Sequence, residues 1–264
     1  MIDAFLDEKH PENYNFLLAY IENDDTHDFL SNHPIYNILK YKNGQLSGLG
    51  PYNVTRSKGA NADCDKEAFF LYKELNWQNS IEDSNNGDTM NSFWNIYSRF
   101  MNIKYADDIE KKGELNCRKS NWPTIASIPY ILKNFSSFDE VHNNKELLNF
   151  ANNVYTIGNF IVWPHIINSG RSLSTNDYFD LTLHMMYEFL EPIDAWDNFI
   201  EKYFLEDYID KNNIPIYFWK GHNNNIKPLE EKDIIRFLKR VNLRICRRGI
   251  LIVKNLRETR KKPS

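Results

Sequence analysis

Cysteine is nearly missing from this 264-residue chain: Cys64, Cys117 and Cys246 stand far apart, show no CxxC spacing and leave one unpaired in any disulfide scheme. That speaks against a disulfide scaffold and against a structural zinc site, and it fits a reducing compartment. Long apolar runs are missing too, the longest reaching about five residues where roughly 20 are needed to span a bilayer. The opening MIDAFLDEKH is acidic where a signal peptide is basic, so the expectation is a cytoplasmic protein with no membrane partner. No P-loop, GxGxxG, HExxH or GxSxG motif occurs, and nucleotide-cradling, dinucleotide, zincin and hydrolase-elbow chemistries lack their signatures. The seven histidines are scattered, so no metal set is expected, and no cofactor is indicated.

What is present is ring-rich and globular. Hydrophobic residues make up 42% of the chain, with 15 Tyr, 17 Phe and 6 Trp, enough for a core built from large side chains. A chain this long buries roughly 70 to 75% of its unfolded surface, so core size is not limiting. The 34 asparagines are explained by an AT-rich genome before any functional reason.

The organisation expected is one domain over 1–264, α+β, mainly α-helical with a small buried sheet. Phe16, Leu17, Tyr20 and Ile21, then Phe29, Ile35, Ile38 and Leu39, fall at helical spacing and mark an N-terminal helical subdomain over 1–42. Residues 43–61, with four glycines and Pro51, form a turn-rich connector. Asp63, Asp65 and Glu67 precede a helix over 69–77, where acids complement the helix dipole. Residues 79–88 read as a polar loop, 91–105 as a ring-rich helix, and 125–131 as short strands. Ser137 with Glu140 has capping-box spacing and predicts one helix through Asn153. Further on, Pro192 ends a segment, Asp194 caps a helix carrying Trp196, Phe199, Ile200, Tyr203 and Phe204, and Ile214–Trp219 is strand-like.

Everything converges on residues 155–185. Phe160-Ile161-Val162-Trp163, between Gly158-Asn159 and Pro164, predicts a short buried strand. A polar loop with Asn168, Ser169, Gly170 and Arg171 follows. Asn176 or Asp177 can cap the next helix, whose first turn holds Asp180 and whose apolar stripe runs through Phe179, Leu181, Leu183, Met186, Phe189 and Leu190. Thr156, Asn159, Asn168, Arg171, Asp177 and Asp180 form the candidate ligand-binding set, in which Arg171 could take a phosphate or carboxylate or lock the loop onto Asp177 or Asp180.

Asn61-x-Asp63-x-Asp65, Leu71-Tyr72-x-x-Leu75-x-Trp77, Tyr155-Thr156-Ile157-Gly158, Pro164, Ile167-Asn168 with Arg171, and Asp177-x-Phe179-Asp180-Leu181-Thr182-Leu183 together resemble a bacterial family of unknown function. Its marks are a TIG strand ending in Pro, an IN…R loop and a D-x-FDLTL helix. The resemblance covers residues 60–255 and departs from the family at Ser169–Ser172 and at Tyr178, where an arginine is usual. It implies a bacterial protein, or one carried by a mobile element, and brings no activity with it.

The last segment changes character. From Arg236 to Ser264 there are eleven Lys or Arg against one acid, Glu258, an excess of ten positive charges; at a net charge of −4, fourteen negative charges in excess remain for the rest. Ile234, Ile235, Leu238, Val241, Ile245, Ile252 and Leu256 mark one face of a helix over 230–257, with Arg240, Arg244, Arg247 and Arg248 as the candidate nucleic-acid contacts. The leading expectation is a nucleic-acid-directed protein, or one that binds another polyanion, in a toxin or phage-defence setting; internal pairing with the acidic remainder is the plain alternative. A non-enzymatic module with a protein partner is the competing class. Gly158-Asn159, a strand and Asn168 also resemble half of an HNH nuclease motif, with His142 the nearby upstream histidine that could activate water.

Overall fold

The computed structural model describes residues 71–78, 86–91, 96–97, 99–105, 135–153, 156–164, 179–217 and 230–261. Helix accounts for 73% of them, beside one two-stranded antiparallel sheet, so the α+β, mainly helical expectation holds. The N-terminal segment 1–42, the connector, the acids at 63–67 and the strands expected at 125–131 lie outside the described residues, as do Asn168, Arg171 and Asp177.

The sheet pairs β1 (Asn86–Thr89) with β2 (Phe160–Trp163), with Gly87 opposite Val162 and Thr89 opposite Phe160. All four β2 residues are buried, as the β-branched and aromatic run predicts. Its partner corrects the sequence reading, since 86–88 belonged to the expected loop. Asn-Gly-Asp-Thr has no strand period to read, and pairing with an apolar neighbour decides its state.

Helices α1 (Asp139–His142) and α2 (Lys145–Asn153) replace the single helix expected from Ser137. Ser137 lies in a 3-10 turn, Phe135–Phe138, and caps nothing. Asn144 makes the break: its Oδ1 accepts from the Glu146 and Leu147 amides at 3.1 and 3.2 Å and starts α2 afresh. After β2 come α3 (Phe179–Leu190), α4 (Trp196–Tyr203) and α5 (Glu231–Lys261). Phe189, expected on the apolar stripe of α3, points to solvent. Residues 214–217 form a single bridge, Ile209 with Pro215, rather than a strand.

With glycine scarce, helices here stop without it. Asn76, Asp194 and Phe204 all take left-handed backbone, φ 55°, 53° and 56°. In each case the next residue's amide reaches back five positions: Trp77 to Tyr72 at 2.8 Å, Ala195 to Leu190 at 3.1 Å and Leu205 to Ile200 at 3.0 Å. This is the closure glycine usually makes, and a bulky residue such as Phe204 adopts it at a cost of about 1 to 2 kcal/mol. Asp194 therefore ends the 3-10 turn Glu191–Ile193 and does not cap α4 through its side chain.

One hydrophobic cluster runs from Leu71 to Leu256 and takes in Trp77, Phe100, Phe150, Trp163, Phe179 and Tyr208. Across it lies α5, 31 residues long, packed chiefly on α2 and on the 3-10 turn Ile157–Asn159. Its inner face carries Ile234, Phe237, Leu238, Val241, Ile245, Ile252, Val253 and Leu256, matching the face read from the sequence, with Ile235 half-buried at its edge. No helix among the described residues is long and apolar enough to cross a membrane.

Candidate functional site

Thr156-Ile157-Gly158-Asn159 is where α2, both strands and α5 meet, and each residue has its own work there. The Thr156 hydroxyl donates to the Asn153 carbonyl at 2.7 Å and closes the C-terminus of α2. Ile157 enters the core. Gly158 lies under α5 so closely that a Cβ would sit 1.9 Å from the Ile245 carbonyl oxygen and 2.9 Å from the Gly249 amide. Only glycine permits that approach of two backbones.

Asn159 extends the sheet after its backbone ladder ends. The Met90 amide donates to its carbonyl at 2.6 Å. Its side-chain Oδ1 then accepts from the Asn91 amide and Asn91 Nδ2, both at 3.1 Å, and its Nδ2 donates to the Asn91 carbonyl at 3.1 Å. A side-chain amide thus replaces one rung of backbone pairing, and Asn159 is fully buried.

Arg248 ties this knot to α5 and α4. Its Nη1 donates to the carbonyls of Gly158 and Phe160 at 2.9 and 2.7 Å, and its Nε to the Tyr203 carbonyl at 2.8 Å. The guanidinium lies 5.3 Å over the Trp77 ring, and the Trp77 indole donates to the Lys202 carbonyl at 2.8 Å. Burial draws Arg248 down to about 10, still far above neutral, so the group stays charged. Burial likewise pushes the Tyr203 phenol up to about 12, against a smaller pull from Arg248, and raises Tyr208.

Of the six candidate ligand residues, three are described. Thr156 and Asn159 come together in one turn, with their polar atoms bonded inside the fold. Asp180 is buried in the first turn of α3. His142, which the nuclease reading needs, is buried against Tyr97, sharing a 2.7 Å hydrogen bond with its hydroxyl, and Phe138 packs edge-on.

The four candidate arginines of α5 divide. Arg248 is interior, the Arg244 Nε donates to the Asp207 carbonyl at 2.8 Å, and Arg247 approaches the Asp207 carboxylate at 3.7 Å while remaining 58% exposed. Arg240 is exposed. Along the outer face, Leu243, Ile250 and Leu251, between 42 and 49% exposed, alternate with Arg240, Arg247 and Lys254. The steps 240, 243, 247, 250 and 254 follow the helical repeat, so these residues share one side.

Charge counting grouped Arg248 with the candidate nucleic-acid contacts and passed over Gly249, yet both lie at the buried crossing of α5 over Gly158. A glycine inside a strong helical pattern signals close backbone approach, and Arg248 falls between Ile245 and Ile252 on the apolar period. No family model, no curated protein and no solved structure matches the chain.

Proposed function

We propose that this is an intracellular, non-enzymatic interaction module whose α5 outer face binds an acidic, partly apolar protein surface. The observation that carries this reading is the alternation of exposed Leu243, Ile250 and Leu251 with Arg240, Arg247 and Lys254. Aliphatic side chains have no use against phosphate, whereas a protein partner covers them and meets the cations at the rim. The Arg247–Asp207 and Lys254–Glu258 pairs, at 3.7 and 3.9 Å and well exposed, hold their cations weakly and leave them able to change partner. A second reading, a nucleic-acid-directed protein in a toxin or phage-defence setting, draws on the ten excess positive charges of residues 236–264.

The test is a fluorescence titration of the full chain with a labelled acidic amphipathic peptide and, separately, a labelled oligonucleotide. The peptide is expected to bind, and Leu243→Glu with Ile250→Glu to weaken it at least about tenfold. Oligonucleotide binding that the double variant does not disturb, with a salt slope of roughly 0.7 to 0.9 per phosphate contact, would replace this reading with the second.

A further inference from the structure

A second exposed surface lies where α3 runs into α4. Phe189 and Ile193, one helical turn apart, are 65% and 63% exposed. Around them stand the exposed carboxylates of Glu188, Glu191, Asp194 and Asp197, and between Phe179 and Glu201 there is no lysine or arginine. An open cleft of about 290 Å³ indents this corner, with Glu191, Asp194 and Asp197 at its rim and the rings of Tyr187 and Trp196, 5.1 Å apart and edge-to-face, in its wall. Carboxylates beside aromatic rings suit a guanidinium, which donates hydrogen bonds in its plane and takes ring contact on its face.

The outer face of α5 is the complement of this corner: apolar where the corner is apolar and basic where it is acidic. Resting on the reading of that face as a binding surface, we infer that its partner is a second copy of this chain, the α3–α4 corner of one molecule docking on α5 of the next. Phe189 and Ile193 would meet Leu243, Ile250 and Leu251, and Arg247 would enter the acidic cleft. The two surfaces share no residue, so the contact is head-to-tail; it closes into a ring or grows into a chain, according to the rotation between neighbours. A few apolar contacts with a charged rim make a small interface, of the weak and salt-sensitive class.

Sedimentation velocity on the full chain from about 1 to 200 μM tests this, a range matched to a weak interface. The average mass is expected to rise with concentration and to fall back when salt is added. A face variant, Leu243→Glu with Ile250→Glu, and a corner variant, Phe189→Lys with Ile193→Lys, change only exposed positions and should keep the wild-type melting profile. Each alone should stay monomeric. Mixed one to one, they should form dimers and stop there, because each brings one intact surface. A wild type that is monomeric over the whole range, variants that associate like wild type, or a mixture that stays monomeric would each overturn the inference. A monomeric wild type that still binds the acidic peptide removes only the second copy as partner; loss of peptide binding as well removes the binding face itself.

Discussion

Arg247 and Arg248 are consecutive in sequence and opposite in circumstance. One is 58% exposed beside a carboxylate at 3.7 Å; the other is 1% exposed and serves three backbone carbonyls. A step of about 100° around the helix separates them, and it is the boundary between the two faces of α5. The inner face is made of close approach and fixed hydrogen bonds. The outer face is made of side chains that water or a partner can move. Positive charge alone says nothing about which face a residue serves.

The sharpest break in this comparison is at the glycines. Gly158→Ala puts a Cβ into the backbone of α5 at 1.9 Å, where no side-chain rotation can relieve it. The expected loss is more than about 4 kcal/mol in denaturant unfolding, or failure to fold. Gly249→Ala faces it across the same crossing, yet its Cβ would rest 3.6 Å from the Gly158 amide, an ordinary contact. It should be neutral or stabilise by up to about 1 kcal/mol through helix propensity. Equal losses at the two positions would show that the crossing is not as close as described.

The arginine pair comes next. Arg248→Ala leaves the carbonyls of Gly158, Phe160 and Tyr203 without their donors and should cost about 3 kcal/mol or more. Arg247→Ala breaks only a long, exposed ion pair and should cost less than about 1 kcal/mol. Unfolding midpoints of the two variants, measured side by side, check the contrast.

A third measurement separates the faces by pH. The Tyr203 phenol, buried under α5, is held up to about 12, whereas an unfolded chain releases that proton near 10. Its contribution is therefore complete below about pH 10 and is lost as pH rises towards 12, on the order of 2 to 3 kcal/mol. Arg248, drawn down to about 10, acts in the opposite sense over the same window. Tyr203→Phe isolates the tyrosine share: this variant should lose less stability between pH 10 and 12 than wild type, while Leu243→Glu with Ile250→Glu should leave that profile unchanged.

Much of the fold was legible in the sequence, for reasons that differ by element. β2 announced itself because a run of β-branched and aromatic residues fits nothing but a buried strand or core segment. The inner face of α5 was readable because 31 residues of period 3.6 leave little ambiguity. β1 was not, since Gly87 and Asp88 are strand residues only by virtue of facing Val162 and Ile161. Nor was the helix break at Asn144, where one side chain outcompetes the continuing helix. The prominence of TIGN in the sequence was real, but polar residues in a buried knot carry the same residue types as a ligand site. What distinguishes Thr156 and Asn159 is where their hydrogen bonds go, to Asn153 and Asn91, and that is decided by partners far away in the chain.

The crossing of α5 over the TIGN turn also governs how the chain can reach this structure. Arg248 finds the carbonyls of Gly158 and Phe160 from 90 and 88 positions away, and Asn242 finds that of Glu146 from 96. Loops of that length must close before any of these bonds rewards the entropy lost, so the contacts of α5 with the TIGN turn and α2 are the costly ones to form. Synthesis runs in the same direction: everything α5 covers emerges first and waits, its apolar surface bare, for the helix that completes it. The surface of α2 and of the Ile157–Asn159 turn that α5 covers is therefore completed only once residues 231–261 have been made.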